Sequence, residues 1–417
     1  MNSALIIDGE RLGRQIDELA AISAAPPPVV TRVLFSEADL RARAYVKELC
    51  RETGLSLRED AVGNIFARWE GRDTTLAPVA TGSHIDAIPN AGRYDGVVGV
   101  LGAIEAIRTL QRARIEPARA IELIIFTAEE PTRFGIGCLG SRLLAGVLSL
   151  EKAAELRDPD GKSLEELRGA AGFGGQDLRQ VRLAPQTYFA FVELHIEQGP
   201  LLERENIPIG VVEKIAAPST LRVQLTGVGG HAGAMLMPER HDALLAGAEI
   251  ALAVEQAAVT SGSPDTVGTT GVFRIEPGAV NSVPCRAWLE IDLRDTQLAT
   301  RDAALSRIEQ SVATICQKRG VTFALERLNV DAPASCDPHL VQTIAAVCGE
   351  LRLPVKKMIS RAYHDSLFMA QICPTTMIFI PCRDGVSHRP DEYSSPEQIE
   401  RGVQVLAATL ACLVTNS

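Results

Sequence analysis

Thr81-Gly82-Ser83-His84-Ile85-Asp86-Ala87-Ile88-Pro89-Asn90-Ala91-Gly92-Arg93-Tyr94-Asp95-Gly96 is the stretch on which the fold reading turns. Pro78, Val79 and Ala80 form an apolar, strand-like run that delivers His84. Asp86 follows two residues later, and Asp95 sits in a loop flanked by glycine. From Gly96 the period changes, and Val97, Val98, Val100, Leu101, Ile104, Ile107 and Leu110 recur at helical spacing. A buried strand, a polar loop and a helix make the repeating unit of an α/β layer, which places functional groups at the carboxyl ends of its strands. A histidine and a carboxylate at such an end are metal-ligand types. In His84-x-Asp86 the aspartate is placed to accept the other imidazole N–H and fix the ring's tautomer. The competing reading is a polar strand end with a satisfied histidine, and this stretch alone leaves both open.

Outward from this stretch the alternation continues. Residues 10–25 read as a helix with Leu12, Ile16, Leu19 and Ile22 on one face, ended by Pro26-Pro27-Pro28. A second helix starts at Ser36, with Asp39 three residues on, and stops at Gly54. Residues 55–58 and 64–69 look like strands, 121–126 is a buried strand, and 188–196 is another. Residues 156–180 are polar and Gly-rich and read as a surface excursion. Near 214 the organisation changes to strand 221–225, helix 241–258, strands 266–275 and 287–293, helix 298–318 and strand 321–328. That β-α-β-β-α-β order is the ferredoxin-like one and marks an inserted α+β domain over 214–330. Helix 338–351, strand 375–380 and helix 396–413 then resume the earlier style. The expected fold class is α/β: a catalytic domain of 1–213 and 331–417, its central sheet flanked by helices, with the insert as a second domain.

The totals narrow the function. A chain of 417 residues, 46% of them hydrophobic, builds more than one core. A net charge of −10 without a basic stripe, and 4% aromatic residues, exclude nucleic-acid binding. Nine scattered cysteines with no C-x-x-C pair point to free thiols in a reducing, cytoplasmic compartment. The apolar run Ala4–Ile7 is too short for a signal peptide. No apolar run approaches the roughly 18 residues that a membrane span needs.

Several histidines and acids stand at strand ends, where core packing would not place them. Glu129-Glu130 follows the buried strand 121–126. Two adjacent glutamates there need a cation or solvent, since like charges raise each other's pKa. His195 in Leu194-His195-Ile196-Glu197-Gln198-Gly199 ends another strand, and His388 in Gly385-Val386-Ser387-His388 follows the strand ending at Ile380. If these strands share one sheet, the side chains converge on its carboxyl edge. Nitrogen and oxygen donors without sulfur suit Zn²⁺ or Mn²⁺. Two imidazoles on one ion, an imidazole and a glutamate on another, and a bridging aspartate would make a two-metal site with ions about 3.5–4 Å apart. The remaining glutamate would then handle protons.

These motifs together resemble the bimetal amidohydrolases of ureido compounds. The resemblance is carried by Gly-Ser-His84-x-Asp86, Tyr94-Asp95-Gly96, Glu129-Glu130-x-x-Arg133-Phe134, Leu194-His195-Ile196-Glu197-Gln198-Gly199 and Ser387-His388. The family includes N-carbamoyl-L-amino-acid hydrolases, allantoate amidohydrolases and ureidoglycolate amidohydrolases, within the aminoacylase-like metallopeptidase superfamily. The resemblance implies His84 and Glu130 as terminal ligands on opposite ions and Asp95 as the bridge, with His195 and His388 completing the shells. Glu129 becomes the general base and Asp86 the residue that orients His84. The insert becomes a dimerisation or lid domain, from which His231 in Gly229-Gly230-His231-Ala232-Gly233 reaches the partner subunit's site. Gln198, Asn281 and Arg294 become substrate binders. Read on their own, His231 is a hairpin-loop histidine, Arg294 a surface ion pair with Asp292 or Asp295, and Asn281 a turn residue before Pro284.

One segment departs from the carbamoylase and allantoate pattern of Gly-Ala-Gly-His-Asp-Ala. It reads Ser360-Arg361-Ala362-Tyr363-His364-Asp365-Ser366 and is similar to the ureidoglycolate branch. The resemblance implies metal-dependent hydrolysis of (S)-ureidoglycolate to glyoxylate, ammonia and carbon dioxide, a step of ureide breakdown. It also implies two divalent ions per subunit, with Mn²⁺ favoured and Zn²⁺ compatible, and a homodimer. Tyr363 would narrow the pocket and contact substrate, or else pack as an ordinary tyrosine. The role of His364 stays open. Allantoate or an N-carbamoyl-L-amino acid is the alternative substrate.

Overall fold

A computed structural model describes residues 5–415; Ala4, which opens the short apolar run near the N-terminus, lies outside them. Ile121–Phe126 is buried along its whole length, as are Val79–His84, Ala190–Ile196 and Thr375–Ile380. Strands buried on both faces are those of a parallel sheet covered by helices. These four pair in parallel, in the order Thr375–Ile380, Ala190–Ile196, Val79–His84, Ile121–Phe126. Ile65–Trp69 and Ser56–Glu59 extend the sheet antiparallel beyond Ile121–Phe126. The register sets His84 beside Phe126 and His195 beside Phe379, so the carboxyl ends of the four parallel strands line one edge.

Helices hold that edge in place. Val97–Arg112 starts straight after Gly96 and packs with Pro396–Thr415 against the sheet. A β-carbon at Gly402 would stand 2.4 Å from Ile380 Cγ2, so glycine lets the last helix lie close on the strand that leads to His388. The first helix, Gly9–Ala21, is shorter than the periodicity predicts. Past Ala21 the chain turns, and Ala24 N–H donates to Thr31 O at 2.9 Å. The buried Arg32 guanidinium satisfies the carbonyls of Leu19 and Ile22 at the helix end and that of Ile85, next to His84.

The 156–180 stretch is not the surface excursion its composition predicts. Leu164, Leu167 and Phe173 are buried in one core with Phe126 and Phe191. The buried Arg168 bonds the carbonyls of Ala61, Phe173 and Gln176. Glycines and charges mask three apolar anchors, each contributing about 1.5–3 kcal/mol when fully buried.

The chain divides into two compact units, one of residues 1–213, 335–358 and 364–417, the other of 214–334 and 359–363. The second unit has an antiparallel sheet in the order Val267–Glu276, Arg286–Asp295, Ala217–Thr226, Thr322–Val330. The helices Ala243–Val259 and Leu298–Arg319 cover one face over Leu221, Val223, Ile250, Leu289, Ile291 and Ile308. The unit runs on to Ala334 because Asp331 N–H donates to Pro218 O, and it takes in 359–363 because Ala216 N–H donates to Ser360 O. Among the described residues, no helix is long and apolar enough to cross a membrane.

Candidate metal centre

His84 ends its strand with its ring held from behind. Nδ1 lies 3.1 Å from the Asp86 backbone carbonyl oxygen and 3.5 Å from Asp86 Oδ1. The carbonyl is the nearer acceptor for Nδ1–H, which turns Nε2 toward Asp95. The Asp86 carboxylate also works on the next strand, accepting the amides of Glu129 at 3.2 Å and Glu130 at 3.1 Å. One side chain thus ties the His84 strand end to the glutamate turn.

Asp95 stands between two groups of donors. Oδ1 is 3.1 Å from His195 Nε2 and 3.5 Å from His84 Nε2. Oδ2 is 3.3 Å from His388 Nε2, which is itself 3.2 Å from Glu130 Oε1. In His84, Asp95 and His195, and again in Asp95, Glu130 and His388, the donor atoms lie within 4.8 Å of one another. His195 Nδ1 lies 2.9 Å from Ile196 O, and Gly96 N–H donates to His195 Nε2 at 3.2 Å. That pattern again turns Nε2 toward Asp95. Gly96 has φ 66°, and a β-carbon there would stand 2.5 Å from His84 Nε2, so only glycine fits beside the imidazole. Ala128, Gln198 and His388 also adopt left-handed backbone, with φ of 52°, 55° and 60°. Such residues cluster where surrounding structure holds a functional turn.

Charge and burial set the protonation. Burial opposes the charged form of Asp95, but the imidazoles of His195, His388 and His84 outweigh it and hold the carboxyl well below its usual range. Burial pushes Glu129 well above the carboxylate range; His84 opposes this, while the charges of Glu130, Asp365 and Asp95 reinforce it. Burial also raises Glu130. Asp86, Glu129 and Glu130 are buried carboxylates and the Asp95 side chain is 9% exposed, and His84 Nε2 and Gln198 Oε1 are buried without a hydrogen-bond partner among the described residues. Packed acids, imidazoles whose Nε2 atoms face them and an orphaned ring nitrogen fit divalent cations.

The remaining residues singled out from the sequence fall in both units. Gln198 Nε2 donates to Asp95 Oδ2 at 2.7 Å in the first. His231 and Asn281 are neighbours in the second: Gly230–His231 pairs with Ser282–Val283, and Ala232 N–H donates to Asn281 O. Arg294 bonds Asp292 at 2.7 and 3.2 Å, and its guanidinium carbon lies 5.5 Å from the Tyr363 ring centroid.

The sequence from residue 80 to 411 matches the family model described as peptidase family M20/M25/M40. The chain belongs to that family. The matched span takes in every donor residue above and the whole 214–334 segment. Within the M20/M25/M40 family the chain is 54% identical to a ureidoglycolate hydrolase of Arabidopsis thaliana, over 99% of this chain and 88% of the relative. It is 38% identical to an N-carbamoyl-L-amino acid amidohydrolase of Geobacillus stearothermophilus, over 97% and 98%. The crystal structure of AtUAH in complex with glyoxylate superposes with a TM-score of 0.92 at 54% identity, covering 99% of each chain. These likenesses make the chain a hydrolytic enzyme.

Other residues pack around this cluster, among them Glu193 and Glu392, which the motifs did not flag, and His364 and Asp365 from the segment quoted above. Glu193 accepts the Ser83 hydroxyl at 2.7 Å and the Ser366 hydroxyl at 2.5 Å. The His364 ring centroid lies 4.5 Å from that of His195. Asp365 Oδ1 accepts Ser141 Oγ at 2.5 Å. Glu392, pushed up to about 7 by burial and by the charge of Asp95, accepts the amides of Tyr94 and Asp95. The available signal for Glu193 is its spacing: two residues before His195 in a strand, it shares a face with that histidine.

Proposed function

We propose that this chain cleaves the ureido C–N bond of (S)-ureidoglycolate, giving glyoxylate, ammonia and carbon dioxide overall. The observation that carries the reading is Asp95 between two donor groups, with Glu129 beside them and in neither. The 54% identity to a ureidoglycolate hydrolase, against 38% to a carbamoyl-amino-acid enzyme, favours this substrate. The glyoxylate held by AtUAH is the expected product.

His84, His195 and Asp95 Oδ1 would hold one divalent cation, and Glu130, His388 and Asp95 Oδ2 a second. The resemblance favours Mn²⁺, and the donor set accepts Zn²⁺ equally. Bound there, the pair supplies Lewis acidity toward the ureido carbonyl and acidifies an attacking water. Glu129, its pKa raised by burial, takes the water's proton and delivers it to the leaving nitrogen. The carbamate that remains decomposes. His231 of a second copy donates to the oxygen that gains charge. Arg294, its plane fixed by Asp292, takes the substrate carboxylate through paired N–H bonds. Asn281 and Gln198 face the amide groups, and Tyr363 the hydroxyl.

A homodimer is part of the proposal. Leu245, Leu252 and Val259 recur every seventh residue on helix Ala243–Val259 and are 40%, 65% and 77% exposed. Beside them Val267–Glu276 is an edge strand. An apolar helix stripe next to a sheet edge is a surface that a second copy would cover. The free cysteines support a cytoplasmic location.

Ammonia release from (S)-ureidoglycolate, allantoate and an N-carbamoyl-L-amino acid, measured side by side with the Mn²⁺-loaded protein, tests the reading. Turnover of ureidoglycolate well above the other two is expected. No release from ureidoglycolate would end the proposal.

A further inference from the structure

We infer that Glu392 is a positioning residue for Asp95, acting through two backbone amides and the Ser387 hydroxyl. This rests on the metal reading above. Glu392 lies between the Arg383–Gly385 turn and the last helix and is 4% exposed. Its Oε1 accepts the N–H of Tyr94 at 2.8 Å and of Asp95 at 3.1 Å. Its Oε2 is 2.9 Å from Ser387 Oγ, and that hydroxyl is 2.6 Å from Asp95 Oδ2. One carboxylate therefore holds Asp95 at its backbone amide and also positions the Ser387 hydroxyl, whose single proton serves one of the two carboxylate oxygens beside it.

The flanking residues lock the arrangement. The rings of Tyr94 and Tyr393 meet edge to face with centroids 6.0 Å apart. A β-carbon at Gly92 would stand 2.4 Å from Glu392 Cβ, so the loop carrying Asp95 is closed down on the glutamate. A bridging carboxylate works only while its two oxygens are aimed at separate centres, and an unheld aspartate would sample other rotamers. Fixing the amide and Oδ2 leaves Oδ1 directed at His84 and His195. Glu392 belongs to neither donor group, and its Oε1 is engaged by two backbone N–H donors, so it orients Asp95 from outside the cluster.

The test uses the full chain stripped of metal, with Mn²⁺ binding followed by calorimetry and metal content by mass spectrometry. The natural chain is expected to bind two ions. Glu392→Ala should bind at least one of them about 10- to 100-fold more weakly, the usual effect of losing a ligand-orienting partner, while the metal-free protein still folds, as read by its circular dichroism. Glu392→Gln keeps an acceptor for both amides and should restore most of the affinity. Unchanged Mn²⁺ affinity in Glu392→Ala, or a glutamine variant as weak as the alanine one, would overturn the inference and leave the metal reading intact. A natural chain that binds no ion would overturn both. Should Glu392→Ala fail to fold, Ser387→Ala removes only the hydroxyl; the same weakening is expected, and unchanged affinity would refute the role.

Discussion

Asp95 Oδ1 lies 3.1 Å from His195 Nε2, although the two residues reach the site from different parts of the fold. His195 comes from a buried strand, and Asp95 follows the short strand Ala87–Ala91 that comes after the neighbouring one. The pairing requires the parallel register that sets Val79 beside Ala190, together with a glycine at position 96. Sheet topology thus precedes chemistry here.

Glu129 is the residue whose loss should separate catalysis from metal binding. Glu129→Gln keeps the shape and removes the proton carrier. Turnover should fall roughly 10²- to 10⁴-fold, the usual contribution of a positioned acid–base group. Metal content by mass spectrometry should match the natural chain; a variant with unchanged turnover would remove Glu129 from the mechanism.

His231 acting across a dimer makes a complementation prediction. His231→Ala and Glu129→Gln should each be nearly inactive alone. Mixed, unfolded and refolded together, they should recover about a quarter of natural activity, since half the dimers are mixed and each carries one intact site. No recovery from the mixture would place His231 in its own subunit or outside catalysis.

The helix stripe predicts where that dimer is broken. Leu252 is 65% exposed, so Leu252→Glu should leave the fold intact and place a charge in the dimer contact. Light scattering should then give the mass of one chain, with activity lost in parallel. A dimeric Leu252→Glu protein would move the interface elsewhere.

Much of this architecture is legible in the sequence, for identifiable reasons. The four parallel strands announce themselves as apolar runs that end in ligand-type residues. Val355–Ser360 escapes because Lys356-Lys357 interrupts its apolar signal, and Ile209–Ile215 because Pro208 and Gly210 read as a turn. The ligand candidates His84, Asp95, Glu130, His195 and His388 are legible because polar residues at strand ends have no packing purpose. Glu392 is not, since Arg389, Asp391 and its own charge make the loop look solvated. Glu193 hides inside a strand between Val192 and Leu194, where it looks like an interruption of an apolar run. Both depend on partners distant in the chain, and one sequence carries no record of those pairings.

Arg294 should govern substrate binding more than chemistry. Removing a charged hydrogen-bonding partner costs about 2 kcal/mol, or roughly thirtyfold. Arg294→Ala should therefore raise KM for ureidoglycolate about thirtyfold while kcat changes less. An unchanged KM in steady-state kinetics would reduce Arg294 to its ion pair with Asp292.

Diffraction from crystals of the Mn²⁺-loaded chain, recorded at the manganese absorption edge, tests the two-ion centre most directly. The expected result is two anomalous peaks about 3.5–4 Å apart, one beside His84 and His195, the other beside Glu130 and His388, with Asp95 between them. A single peak, or peaks away from Asp95, would contradict the account.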